Sequence, residues 1–270
     1  MIDRGSGRPL VLVPGLQGRW EYMRPAVEAL SRSFRVLTFS LDSVDGADLD
    51  DYARQVADAL NEKKIERATI CGVSFGGLIA ARFAARYQSR CDALVLASTP
   101  KPALRLRRRH QVYLKVPWLF GLLFLAETPW RLGSEIRIAI PDARERRRFA
   151  MHGLRTLLAA PLSLSRMAAR GKLITKGDLV ADCARIIAPT LIVTGEPHLD
   201  HVVPVEGSSE YARLIPNARS TILERTGHLG SITRPDAFAA RIQLFLDNAG
   251  ADPRVGSERT DASASTGRVA

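Results

Sequence analysis

The chain is poor in cysteine, and the few it has stand far apart. Cys71, Cys91 and Cys183 are the only three in 270 residues. The count is odd, and no Cys-x-x-Cys pair or Cys/His cluster exists. That argues against a zinc site and against a disulfide framework. The three read as small buried hydrophobes in a reducing compartment. Gly-x-Gly-x-x-Gly is also missing, and no lysine follows the glycine-rich stretch at Gly72, so neither nucleotide-cradling loop is present. Long apolar runs are absent too. The longest, "WLFGLLFLA" from Trp118 to Ala126, falls far short of the about 20 residues that span a bilayer. The opening "MIDRGSGRPL" has no apolar signal core. A cytoplasmic protein is expected, with peripheral membrane contact left open. No internal repeat is visible.

What remains has ordinary globular composition, 46% hydrophobic and 25% charged. The length suits one large α/β domain or two small ones. Short runs of branched apolar residues alternate with helical patterns. "PLVLVPGLQG" at Pro9 is a buried strand stopped by Pro-Gly, and a helix follows from Trp20 to about Ser31. "FRVLTFSL" at Phe34, "ATICGVS" at Ala68, "DALVLAST" at Asp92, "APTLIVTGE" at Ala188 and "RSTILERTGH" at Arg219 are further strands. Between them, Ala47 to Lys64 is an amphipathic helix with acidic residues in its first turn, which suits the helix dipole. Arg234 to Asn248 closes the chain's ordered part as a helix. The alternation predicts a mostly parallel sheet of about six strands with helices on both faces.

Residues 101–185 interrupt this alternation. They hold 18 Lys/Arg against 6 Asp/Glu, while the remainder holds 21 against 22. The net charge of +11 therefore belongs to one insertion. Its runs "RLRRRH" (Arg105 to His110) and "ARERRRF" (Ala143 to Phe149) read as solvated helix faces, or as contacts for an anionic membrane or an anionic substrate. Its apolar stretch Val116 to Trp130 packs the insertion on the core or lines a pocket. No nucleic-acid recognition motif accompanies the charge, so no nucleic-acid partner is expected. Residues 249–270 lack apolar periodicity and are expected to be disordered.

Gly72-Val73-Ser74-Phe75-Gly76 places a hydroxyl where a strand turns sharply into a helix. Glycines two before and two after leave room for the turn, and the helix aims its free N–H groups at the same point. A serine needs a base. Among five histidines, His228 follows the last strand, at the sheet edge that carries the serine. A base needs a carboxylate to fix its tautomer. Asp200, in the loop after the penultimate strand, is the candidate, and Glu196 is the competitor.

The stretches "PGLQG", "GVSFGG", "GEPHLDHVVP" and "TGHLGSITRPDAF" resemble the α/β-hydrolase fold superfamily in its lid-bearing serine-hydrolase form. The resemblance spans roughly Leu10 to Asn248. It implies a core of residues 1–100 and 186–248, and a helical cap, or lid, at 101–185. It implies Ser74 as nucleophile, His228 as base and Asp200 as acid, with the amides of Leu16 and Phe75 as the oxyanion hole. The activity implied is hydrolysis of a small-molecule carboxylic ester through an acyl-enzyme, with no cofactor and no metal. Lactone, thioester or carbon–carbon hydrolysis, acyl transfer, or a non-catalytic binding role use the same fold. Three departures stand out. Pro14 occupies a position where the family usually has histidine. The acid loop is two residues longer than usual. The chain starts almost at the first core strand, so either the sheet is trimmed to about six strands or the start lies upstream. Oligomeric state is not addressed by these residues.

Overall fold

The structure is a computed structural model that describes residues 1–42, 46–103, 131–176 and 178–251. Seven strands form one sheet: β1 (Ile2–Arg4), β2 (Arg8–Val13), β3 (Phe34–Thr38), β4 (Ala68–Val73), β5 (Cys91–Ala97), β6 (Thr190–Thr194) and β7 (Ala218–Ile222). Their order is β1-β3-β2-β4-β5-β6-β7. Every neighbouring pair is parallel except β1 with β3.

Parallel strands are covered on both faces, which is why the central ones read as unbroken apolar runs. Leu10 and Leu12 of β2 pack with Cys71, Val73 and Val95 beneath α1 (Arg24–Leu30) and α10 (Pro235–Ala251). Val11 and Val13 point the other way, with Ile70, Leu94 and Leu96, beneath α2 (Leu49–Glu62) and α3 (Phe75–Arg86). Each leucine so buried contributes about 2–3 kcal/mol relative to exposure. The N-terminus of α2 is closed by a capping box. The Asp48 carboxylate accepts from the Asp50 and Asp51 amides, and the Asp51 carboxylate accepts from the Asp48 amide.

All six predicted strands are present, and the sheet has a seventh. β1 is three residues with one apolar side chain, too short and polar for periodicity to reveal. It joins antiparallel to β3, and Arg35 on β3 grips Asp3 with two hydrogen bonds of 3.0 and 2.8 Å. β7 stops at Ile222, so the predicted strand's remainder, to His228, is loop.

The insertion leaves after β5 and returns before β6. Its neck is closed by an antiparallel bridge between Ala103 and Asp178 and by the Leu179 amide donating to the Pro102 carbonyl. Its described helices are α4 (residues 131–139), α5 (Ala143–Ala159), α6 (Leu164–Lys176) and α7 (Val180–Cys183). Leu179, Cys183 and Ile186 pack into the core with α3, and Asp182 pairs with Arg82 at 3.0 Å. The runs 105–110 and 116–130 lie outside the described residues, as does the tail beyond 251. After β6 come α8 (Val205–Leu214) and, beyond β7, the short α9 (Gly230–Thr233) and α10, which complete the α/β alternation.

The capping box yields a direct expectation. Asp48→Ala should cost about 1 kcal/mol, roughly 3 °C in Tm for a domain of this size, while Asp48→Asn should stay near wild type. Thermal melts of the two variants check this.

Candidate functional site

Four loops meet at the C-terminal edge of the parallel strands, where open α/β sheets place their chemistry. They follow β2, β4, β6 and β7. The one after β4 is a single residue. Ser74 has φ 55° and ψ −121° and stands directly before α3. Its amide donates to the Ala97 carbonyl at 2.8 Å, and its carbonyl accepts from the Gly77 amide at 2.9 Å. The flanking glycines are demanded by space. A Cβ on Gly72 would fall 2.2 Å from the Gly76 oxygen, and one on Gly76 would fall 2.3 Å from the Val13 oxygen. Both obstacles are backbone and cannot swing aside.

His228 brings its Nε2 to 3.2 Å from the Ser74 hydroxyl. Its Nδ1 lies 3.5 Å from Asp200 Oδ2. That is longer than a hydrogen bond, and catalytic contacts of this kind commonly tighten only when substrate binds. Asp200 is buried, and its Oδ1 accepts from the Val202 and Val203 amides at 3.0 and 2.8 Å. The acid and histidine loops touch main chain to main chain. A Cβ on Gly227 would sit 2.3 Å from the Leu199 oxygen, and one on Gly195 would sit 2.5 Å from the Gly227 oxygen.

Glu196 does something else. Its Oε1 accepts from the Arg225 amide at 2.7 Å, and Oε2 faces His198 at 3.4 Å. Arg225 has φ 60°, so Glu196 braces a left-handed residue in the histidine loop. The other described histidines, His152, His198 and His201, lie elsewhere in the chain's loops and helices, with His198 facing Glu196 rather than Ser74.

Phe75 is the first residue of α3, so its amide has no acceptor within the helix. Its ring is sealed in the core edge-on to Tyr52, which leaves only the backbone facing the site. Leu16 is half-buried in the loop after β2. Its neighbour Gly15 abuts the serine, where an added Cβ would sit 3.5 Å from Ser74 Cβ. The structure thus brings Ser74, Asp200, His228, Leu16 and Phe75 to one edge. Two residues that sequence reasoning passed over also reach it, Glu135 and Arg170 of the insertion. A lone Glu in "LGSEIRIAI" and one Arg among many carry no local signal.

The cysteines are buried and free. Burial pushes the Cys91 and Cys183 thiols up to about 12, and Cys71 also rises well above its ordinary value. None is a thiolate near neutral pH. A cavity of about 1020 Å³ lies at the opposite edge of the sheet beside Arg67, Asp92, Pro189 and Asn217. None of Ser74, Asp200, His228, Leu16, Phe75, Glu135 and Arg170 lines it.

A profile of the α/β hydrolase fold family matches residues 8–235. The chain is 27% identical over 256 residues to a poly(3-hydroxyalkanoate) depolymerase of Ectopseudomonas oleovorans, covering 88% of this chain and 84% of that one. It is 25% identical over 256 residues to RutD of Stutzerimonas stutzeri, to which carbamate hydrolysis is provisionally attributed, covering 88% and 90%. The enol-lactonase of Burkholderia xenovorans superposes with a TM-score of 0.72 at 23% identity, covering 91% of this chain and 95% of that one.

The elbow yields its own test. Gly76→Ala should cost about 3 kcal/mol or more by overpacking, roughly 10 °C in Tm. Gly153→Ala, in α5 with open space around it, should be neutral or stabilising by up to about 1 kcal/mol. Equal melting temperatures for the two would contradict the steric reading.

Proposed function

For this chain, which belongs to the α/β-hydrolase fold family, we propose serine-dependent hydrolysis of a carboxylic ester through an acyl-enzyme. The observation that carries the reading is the 3.2 Å approach of His228 Nε2 to a serine hydroxyl held on a strained elbow. With Asp200 on the Nδ1 side, the ring keeps its proton there and Nε2 accepts the serine's. Ser74 Oγ attacks the ester carbonyl, and the Phe75 and Leu16 amides receive the oxyanion. Each such donor is worth about 3 kcal/mol. His228 then protonates the departing alkoxide. Water repeats the sequence on the acyl-enzyme, with His228 again the base.

The names of the similar proteins support acyl chemistry at a carbonyl, whether ester, lactone or carbamate. The ester is the choice over an amide-type bond because an alkoxide is a much better leaving group than an amine nitrogen and departs with the one proton that His228 carries. A small-molecule substrate in the cytoplasm suits a chain whose three cysteines are free. Among the described residues no helix is long and apolar enough to cross a membrane.

Ser74→Ala should abolish ester turnover and fluorophosphonate labelling together. Asp200→Asn should lower kcat by about 10³–10⁴-fold, whereas Glu196→Gln should act mainly on stability. Labelling of the alanine variant at wild-type rate would remove Ser74 from the role, and a reversed pair of acid variants would move the acid to Glu196.

A membrane-surface setting has a specific support. On α5, Arg144, Arg147 and Arg148 are exposed beside exposed Met151, Leu154 and Leu158. Cations beside apolar side chains suit an anionic lipid interface, at about 1 kcal/mol per basic residue. Screening limits this attraction to about 8 Å at physiological ionic strength. The protein should pellet with anionic vesicles, not neutral ones, and release as salt rises. Failure to pellet at low salt would reduce the arginines to a solvated face.

A further inference from the structure

Each of the two loops flanking Ser74 is gripped by a buried ionisable side chain from the insertion. Glu135 of α4 is 0% exposed, and its Oε1 accepts from the Leu229 amide at 2.8 Å. Leu229 directly follows His228. Arg170 of α6 is 2% exposed. Its Nη1 donates to the Leu16 and Gln17 carbonyls, both at 3.1 Å, and its Nη2 donates to the Leu41 carbonyl at 3.0 Å. Leu16 is the residue whose amide faces the oxyanion in the proposed mechanism. The loop is folded tightly over the guanidinium, since a Cβ on Gly18 would fall 2.2 Å from Nη1.

Burying an ionisable group is costly unless its partners repay the lost hydration. A helix that only covered the core would do so more cheaply with an apolar residue. Here the residue types match what each loop offers. The histidine loop presents an N–H, which a carboxylate accepts. The oxyanion loop presents carbonyls, to which a guanidinium donates. Pro14, at the start of that loop, has no backbone N–H and no polar side chain with which to brace it. Burial pushes the Glu135 carboxyl up, opposed by the Gly227 and Leu229 amides and by His228. Oε2 is sealed and makes no hydrogen bond among the described residues, so the necessary feature is the single accepting oxygen.

We propose that the insertion is a working part of the catalytic site, in which Glu135 and Arg170 are positioning residues that hold the histidine loop and the oxyanion loop at their distances from Ser74. This rests on the serine-hydrolase reading. It goes beyond it by making the insertion a support of the catalytic loops rather than only a cover over substrate. Each residue acts on one loop, so removing each should release that loop alone.

The test uses the full chain as wild type, Glu135→Ala, Glu135→Gln and Arg170→Ala. Hydrogen exchange is read on peptides spanning residues 226–229 and 15–18, and kcat and KM on a chromogenic ester. Glu135→Ala should deprotect the first peptide and Arg170→Ala the second. In both, kcat should fall by about 10–100-fold, the scale of a small misplacement of reacting groups, with KM changed far less. Glu135→Gln keeps an accepting oxygen and should restore most of kcat and the protection. If the alanine variants do not fold, Glu135→Asp and Arg170→Lys carry the test, with the same local deprotection and loss of kcat expected. The proposal is overturned by unchanged exchange, by deprotection with wild-type kcat, or by a glutamine variant as impaired as alanine. The ester reading fails separately, if wild type neither turns over ester nor takes the fluorophosphonate. The exchange comparison would still report whether the two residues hold the loops.

Discussion

Ser74 holds φ 55° and ψ −121°, a backbone state that costs a non-glycine residue about 1–3 kcal/mol. It persists because everything around it is already committed. β4 lies between β2 and β5 with both faces buried. The Ser74 amide is tied to Ala97 at the end of β5, and α3 begins at the next residue and runs back through the core. Neither element can shift without opening the sheet. The hydroxyl is therefore presented at a fixed point, and the chemistry proposed for it requires other groups to come to that point.

They come because parallel strands end at one edge. The loops after β2, β6 and β7 each start from a strand registered against its neighbour. Gly195 and Gly227 allow the acid and histidine loops to make main-chain contact, and Glu196 holds Arg225 in its left-handed turn. The insertion adds bonds to the same loops. Arg225 donates to the Ile138 carbonyl, Leu229 to Glu135, and Arg170 to Leu16. Basic charge on this segment thus has two fates. Some of it is exposed along α5, and one guanidinium is buried under the loop after β2.

The sheet was legible because its strands are buried on both faces and leave apolar runs that few other structures explain. The elbow was legible because Gly72 and Gly76 answer a steric demand that no other residue meets. His228 could be chosen from position after the last strand. Asp200 could be preferred to Glu196 only on loop position and chain order, since both stand in one loop; what the sequence hid is the partner each faces, His228 for Asp200 and the Arg225 amide for Glu196. β1 was hidden by having a single apolar residue. Glu135 and Arg170 were hidden for a different reason. Their bonds reach 94 and 154 residues along the chain, and no local pattern marks a charged residue whose partner is distant main chain.

The central claim is that Ser74 forms a covalent acyl intermediate. The direct measurement is mass spectrometry of enzyme quenched during turnover of an activated ester, followed by tryptic digestion. The account expects the acyl mass on the peptide Ala68–Arg82, with fragment ions placing it on Ser74. An ester hydrolysed with no acylated peptide at any quench time, or an acyl group on another residue, would contradict it.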